Sequence, residues 1–180
     1  YYGGMLDIYS DLTAQSAAFG TVVDFLEMDE LAQVRQNLDP SEIDAMLARI
    51  ESEFEIQPDC DPAELRRAAS TSAALHKLVA THDLGSMAYF FVSVPGHEHE
   101  DLISSVILGC SLLTASGVPV AGEYEIKNAQ AMKIMDAFGV GGSFTEYYAI
   151  DFDDDVVLMG HDGPGHTKIA QGKTKVRPLE

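Results

Sequence analysis

The sequence predicts an α/β chain: a layered domain with a mostly parallel sheet and flanking helices, followed by the start of a β-rich domain. Three observations predict it. Two helix starts, Asp39-Pro40-Ser41-Glu42 and Asp61-Pro62-Ala63-Glu64, repeat one capping device. Short apolar runs, above all MAYFFVSV at 87–94, alternate with helical patterns. After Gly139, Gly141 and Gly142 the chain turns to aromatic, partly alternating segments. These glycines set a boundary near 139–142, with residues 1–140 as the α/β unit and 141–180 as the β-rich beginning of the next.

Taken in order, residues 8–19 suit a short helix that Gly20 is placed to end. Residues 22–28 (VVDFLEM) read as a strand covered on both faces, because their apolar residues do not alternate. Residues 29–37 read as helical. In the two capped helices the aspartate accepts an orphan amide, the proline has none to orphan, and the glutamate reaches back to the cap amide. Ile43, Leu47, Ile50 and Phe54 recur at helical spacing in the first. Leu65, Ala68, Ala69, Leu75, Leu78 and Val79 form the stripe of the second, which runs to about His82. The run at 87–94 is the strongest strand and stops at Pro95-Gly96. A helix is expected over 101–115, a connector or short strand over 117–122, and a helix over 124–138. Beyond it, 143–152 and 156–161 read as strands around the acidic turn Asp153 to Asp155. Residues 168–176 read as a further hairpin around Gln171-Gly172.

With 46% apolar residues in 180, the chain can build a sizeable core. Its net charge of -18, from 29 acids against 11 bases, repels phosphate backbones and argues against nucleic acid as a partner. Two cysteines, Cys60 and Cys110, are too few for a disulfide framework and lack metal-site spacing. No apolar run has membrane-spanning length and no signal peptide is visible, so a cytoplasmic location without membrane contact is expected. Tyr1-Tyr2-Gly3-Gly4 and the uncapped end after Arg177-Pro178 read as the ends of an internal piece of a longer protein.

Several residues can carry chemistry. Glu123 stands at a loop or helix start, with Glu125 as an alternative beside it. Glu146 sits within an aromatic strand, where a carboxylate is costly to bury unless paired or metal-bound. His161 ends a strand and leads into Asp162-Gly163-Pro164-Gly165-His166, the kind of glycine-rich loop where ligands bind. Two carboxylates and an imidazole suit a divalent metal. The plain alternatives are a solvent-facing glutamate and a hydrogen-bonded loop histidine. His97 and His99 suggest a metal cluster, but an i,i+2 pair on a helix faces two ways. Asp153 to Asp155 lacks the rest of a calcium loop and reads as a surface turn.

Three segments resemble the L-arabinose isomerase and L-fucose isomerase superfamily. Ala121-Gly122-Glu123-Tyr124-Glu125-Ile126-Lys127 is similar to the segment whose first glutamate binds the metal. Gly142-Ser143-Phe144-Thr145-Glu146-Tyr147-Tyr148 is similar to the one supplying the second glutamate, and Leu158-Met159-Gly160-His161 to the one supplying a histidine. They occur in family order, within a likeness that runs from Gly85 to about Arg177.

The resemblance implies the central domain and the start of the C-terminal domain of an aldose–ketose isomerase. It implies Mn2+ or another divalent cation held by Glu123, Glu146 and His161. Glu123 and Glu146 would also be the catalytic acid–base pair acting through an enediol-type intermediate. It further implies a small sugar as substrate and a homo-oligomer. Departures are also present. Asp162 to His166 replaces the Met-Leu-Glu-Val-Cys-Pro type run of arabinose isomerases, so the sugar need not be arabinose. Glu146 stands where the fucose branch has aspartate. The family's distal histidine ligand has no counterpart here, and His166 is too close in sequence to take its role. A non-catalytic sugar-binding or structural module of the same superfamily is the alternative.

Overall fold

Helix capping organises the N-terminal half. In the computed structural model, which describes residues 9–90 and 95–178, Asp11 caps α1 (Leu12–Phe19), and Gly20 closes it in the left-handed conformation. Helix α2 (Met28–Gln36) precedes α3 (Pro40–Glu53), whose capping box is complete. There Asp39 Oδ1 accepts from the Ser41 amide at 2.8 Å, and Glu42 Oε2 accepts from the Asp39 amide at 2.8 Å. Asp61 caps α4 (Pro62–Thr81) through the Ala63 amide at 2.8 Å.

Helix α4 is the hub. It buries Ala69, Thr71, Ser72, Ala74, Leu75 and Leu78 and contacts α2, α3 and α6 (Ile107–Ala115). Ile50, Phe54, Ala69 and Leu112 form one core cluster. Leu75, Leu78, Val106, Cys110, Leu113 and Val120 belong to a larger one. Burial pushes the Cys110 thiol up to about 12, so this sulfur is inert packing rather than a nucleophile. At Gly109 an added Cβ would lie 2.9 Å from Ser72 Cα, so only glycine allows α6 to approach α4 this closely.

The strands are short. β1 (Glu55–Ile56) pairs parallel with β6 (Lys175–Val176), and β2 (Met87–Ala88) pairs parallel with β3 (Val120–Ala121). β4 (Glu146–Asp151) pairs antiparallel with β5 (Val156–Gly160), with a register shift between Tyr147 and Ala149. The α/β class therefore holds. Among the described residues, however, the strands form three separate two-stranded sheets rather than one layered parallel sheet.

Four expectations are corrected. Residues 22–27 are irregular, with Val22 86% and Phe25 63% exposed, and among the described residues no strand pairs with them. Among the described residues of the run at 87–94, regular strand covers Met87–Ala88, and residues 91–94 lie outside the described residues. The helix expected over 101–115 is broken into α5 (Glu100–Ile103) and α6. Between them the Ser105 hydroxyl lies 2.7 Å from the Asp101 carbonyl, 3.0 Å from that of Leu102 and 2.7 Å from Thr71 Oγ1, a local competition with helical bonding. The tail forms no hairpin. It makes a 3₁₀ turn (Thr167–Ile169) and returns to β1, where the Glu55 and Gln57 amides donate to Thr174 and Val176 at 2.9 and 3.0 Å. Val176 gains burial against the Ile50–Phe54 cluster, which a local hairpin would not provide.

The remaining elements position the site. The Val120 amide donates to Thr114 Oγ1 at 3.0 Å, tying β3 to the end of α6. Helix α7 (Ile126–Ala137) buries Ala129 and Met132 against Ala121 and Phe144. Turn residues Asp153 and Asp154 donate their amides to Asp151 Oδ1 at 2.9 and 3.1 Å, and all three are exposed, as a surface turn requires. Among the described residues no helix is long and apolar enough to cross a membrane.

Two outcomes are expected. Gly109→Ala should lower the unfolding free energy by about 1–3 kcal/mol in urea titration, because the new methyl meets backbone. The capping box should also respond to acid. The Ser41 hydroxyl chiefly holds the Asp39 carboxyl below its ordinary range, and the Asp39 amide chiefly holds Glu42 down. A depressed carboxyl binds fewer protons folded than unfolded. Its contribution is thus complete above about pH 5 and is lost as the pH falls through the folded-state value. The pair Asp39→Asn and Glu42→Gln should flatten the acid limb of stability, read by urea unfolding from about pH 6 to about pH 3.

Candidate metal centre

Glu123 lies in the turn that follows β3. The Glu125 amide donates to the Gly122 carbonyl at 2.9 Å, and the two central residues, Glu123 and Tyr124, both have positive φ, 58° and 56°. Turns of this hand are dominated by glycine, asparagine and aspartate. Glutamate and tyrosine here cost on the order of 1–2 kcal/mol each. Packing offsets the strain. The Tyr124 amide donates to the Tyr89 carbonyl at 2.9 Å, and its ring stacks on Phe90 with centroids 5.5 Å apart. Glu125, the neighbouring alternative, is buried and caps α7 through the Lys127 amide at 3.2 Å. Its other carboxylate oxygen lies 3.5 Å from Lys127 Nζ.

His161 follows β5, and its ring is oriented from two sides. Its Nδ1 lies 3.2 Å from the Pro164 carbonyl. A carbonyl only accepts, so Nδ1 carries a proton, and in the neutral tautomer Nε2 is the nitrogen left for a ligand. The ring stands edge-on to Phe144 at 4.7 Å and 77°. Gly122 lies beside the ring: a Cβ there would be 3.5 Å from His161 Nε2 and 3.4 Å from the Phe144 ring. The residue before Glu123 is therefore in contact range of the His161 donor atom. Glu146, the half-buried first residue of β4, is in register with Gly160, immediately before His161.

The loop after His161 is held in place. The Gly165 amide donates to Ser111 Oγ at 3.1 Å, and the His166 amide donates to Ser143 Oγ at 3.3 Å. Burial lowers the pKa of His166, favouring the neutral ring. That ring packs on Gly141, where a Cβ would meet Nε2 at 2.7 Å.

The topology thus brings Glu123, Glu146 and His161 into one neighbourhood through Gly122 and Gly160. It does not gather their donor atoms. Among the described residues, only Asp29, Glu98 and His99 place three carboxylate or imidazole donors within 4.8 Å of one another. The i,i+2 argument fails for His97 and His99: they precede the helix, and their rings lie 5.3 Å apart. Asp29 reaches His99 from 70 residues away, a pairing with no sequence signal except the His-Glu-His-Glu motif itself. A cavity of about 980 Å³ lies beside both regions; its lining includes Tyr89, Phe90 and Tyr124 as well as His82, His97 and His99.

Gly163 supports the His161 ring directly, since a Cβ there would lie 2.6 Å from His161 Cε1. Gly163→Ala should displace the imidazole, with a loss of about 1–3 kcal/mol in thermal unfolding and shifted His161 ring resonances.

No protein-family model and no curated protein matches this chain.

Proposed function

We propose that this chain is part of a metal-dependent aldose–ketose isomerase, with Glu123, Glu146 and His161 as ligands of a divalent cation, manganese in the first instance. The observation that carries the reading is His161 itself. Its Nδ1 donates to the Pro164 carbonyl, and a side chain at Gly122, one residue from Glu123, would come within 3.5 Å of Nε2. A ligating histidine uses its second nitrogen in this way. The strained turn at Glu123 and Tyr124 adds support, because strain of this kind clusters at functional sites. The donor set of two carboxylates and one imidazole fits a manganese-class ion.

When bound, the metal supplies Lewis acidity to the oxygens of the open-chain sugar. The chain's own groups do the rest. His161 holds its orientation through Pro164 and Phe144. Glu123 and Glu146 act as the acid–base pair that takes a proton from one carbon and returns it to the adjacent one through an enediol-type intermediate. The loop from Asp162 to His166 bears on which sugar is accepted.

In this reading, residues 1–140 belong to a central α/β domain in which β2 and β3 are the beginning of a layered parallel sheet. Residues 141–180 begin a β-rich C-terminal domain, tied back through β6 and β1. A cytoplasmic homo-oligomer acting on a small sugar, with no nucleic-acid or membrane partner, completes it. One observation favours a second reading, a non-catalytic sugar-binding or structural module: the three donor atoms are not mutually within 4.8 Å.

Manganese titration of the full chain, with turnover assayed over a panel of aldoses, decides between them. Glu146→Gln and His161→Ala should each lower turnover by about a hundredfold or more. Gly122→Ala, whose methyl covers Nε2 at ordinary contact distance, should weaken manganese binding while changing stability by less than about 1 kcal/mol. Unchanged turnover in Glu146→Gln and His161→Ala would rule the isomerase site out.

A further inference from the structure

A second group of donors lies apart from Glu123, Glu146 and His161, at the rim of the cavity. His99 Nε2 lies 2.7 Å from Asp29 Oδ1 and 3.9 Å from Glu98 Oε1. An ion about 2.1 Å from each of three donors sets them about 3.4 Å apart, so these spacings bracket what a first-row metal needs. Asp29 comes from the first turn of α2, while Glu98 and His99 immediately precede α5.

The cluster is more than surface acidity. The His99 side chain is only 16% exposed and lines the cavity, whereas Asp29 and Glu98 are 79% and 77% exposed and free to adjust around an ion. Its neighbour His97 accepts the His99 backbone amide on Nδ1 at 3.3 Å, which steadies the ligand's own backbone. The plain reading is a hydrogen bond between imidazole and carboxylate that ties the 95–99 loop to α2. That reading accounts for Asp29, while Glu98 Oε1 stands 3.9 Å from the same nitrogen, within reach of an ion placed there. The partial positive charge at the start of α2 opposes a cation, and two carboxylates outweigh half a charge.

We propose that Asp29, Glu98 and His99 form a second metal site, for a zinc-class divalent ion, that clips the 95–99 loop to the start of α2. The ion takes the place of the Nε2 proton that Asp29 now accepts, and that proton moves to Nδ1. Water completes the shell. One imidazole with two carboxylates suits a borderline ion such as Zn2+.

The experiment uses the full chain carrying Glu146→Gln and His161→Ala, which removes two of the three proposed isomerase ligands and separates the two hypotheses. Zn2+ alone is titrated calorimetrically against this background. One zinc ion per chain is expected, with affinity falling at least about tenfold on adding Asp29→Asn or His99→Ala. Zinc should also raise the thermal midpoint of the background chain and not that of either added variant. If His99→Ala fails to fold, Asp29→Asn decides alone, since that side chain is exposed and its replacement nearly isosteric. The proposal is overturned if no zinc binds the background chain. It is equally overturned if Asp29→Asn leaves the affinity within about twofold of the background.

Discussion

Helix α6 lies on α4 so closely that Gly109 meets the backbone at Ser72, and much of the chain's geometry descends from that approach. It brings Leu112 into the Ile50–Phe54 cluster and Cys110 and Leu113 into the larger one. The C-terminal end of α6 is then fixed in space. Thr114 receives the Val120 amide there, so β3 starts from a set point. Two residues past β3 stands Glu123. Ser111, on the same helix, receives the Gly165 amide and so fixes the loop behind His161. One helix crossing thereby orients both halves of the candidate centre, although they lie far apart in sequence.

That centre stores strain on one side and precision on the other. Two consecutive non-glycine residues at positive φ are unfavourable, and they persist because the Tyr89 carbonyl and the Phe90 ring hold Tyr124. On the other side, small residues do the work. A side chain at Gly122 would reach His161 Nε2, and Gly163 leaves room for its ring. Neither is needed for positive φ. Both are needed for close approach, which is the second use of glycine.

The hairpin of β4 and β5 has a different character. Tyr147, Ile150, Val157 and Leu158 are all exposed, although its first residue, Glu146, belongs to the candidate centre. A two-stranded ribbon is marginal in water by itself. Its attachment comes from the end that carries Phe144 and His161, where Phe144 is buried against α7. The site and the anchoring of the hairpin are therefore one and the same contact.

Local chemistry was legible from the chain alone wherever one residue type has one strong use. The aspartate caps with their prolines, Gly20 as a helix stop and the acidic turn after Asp151 all follow from short-range rules. The general α/β class was legible as well. Pairing was decided elsewhere. Whether 22–27 becomes a strand depends on a partner that only the folded chain offers or withholds, and the return of Val176 to β1 spans most of the sequence. The Asp29–His99 contact and the His161–Gly122 approach are likewise products of packing. A side chain's propensity is set by its own backbone, whereas its partner is set by which buried surfaces the whole chain brings together.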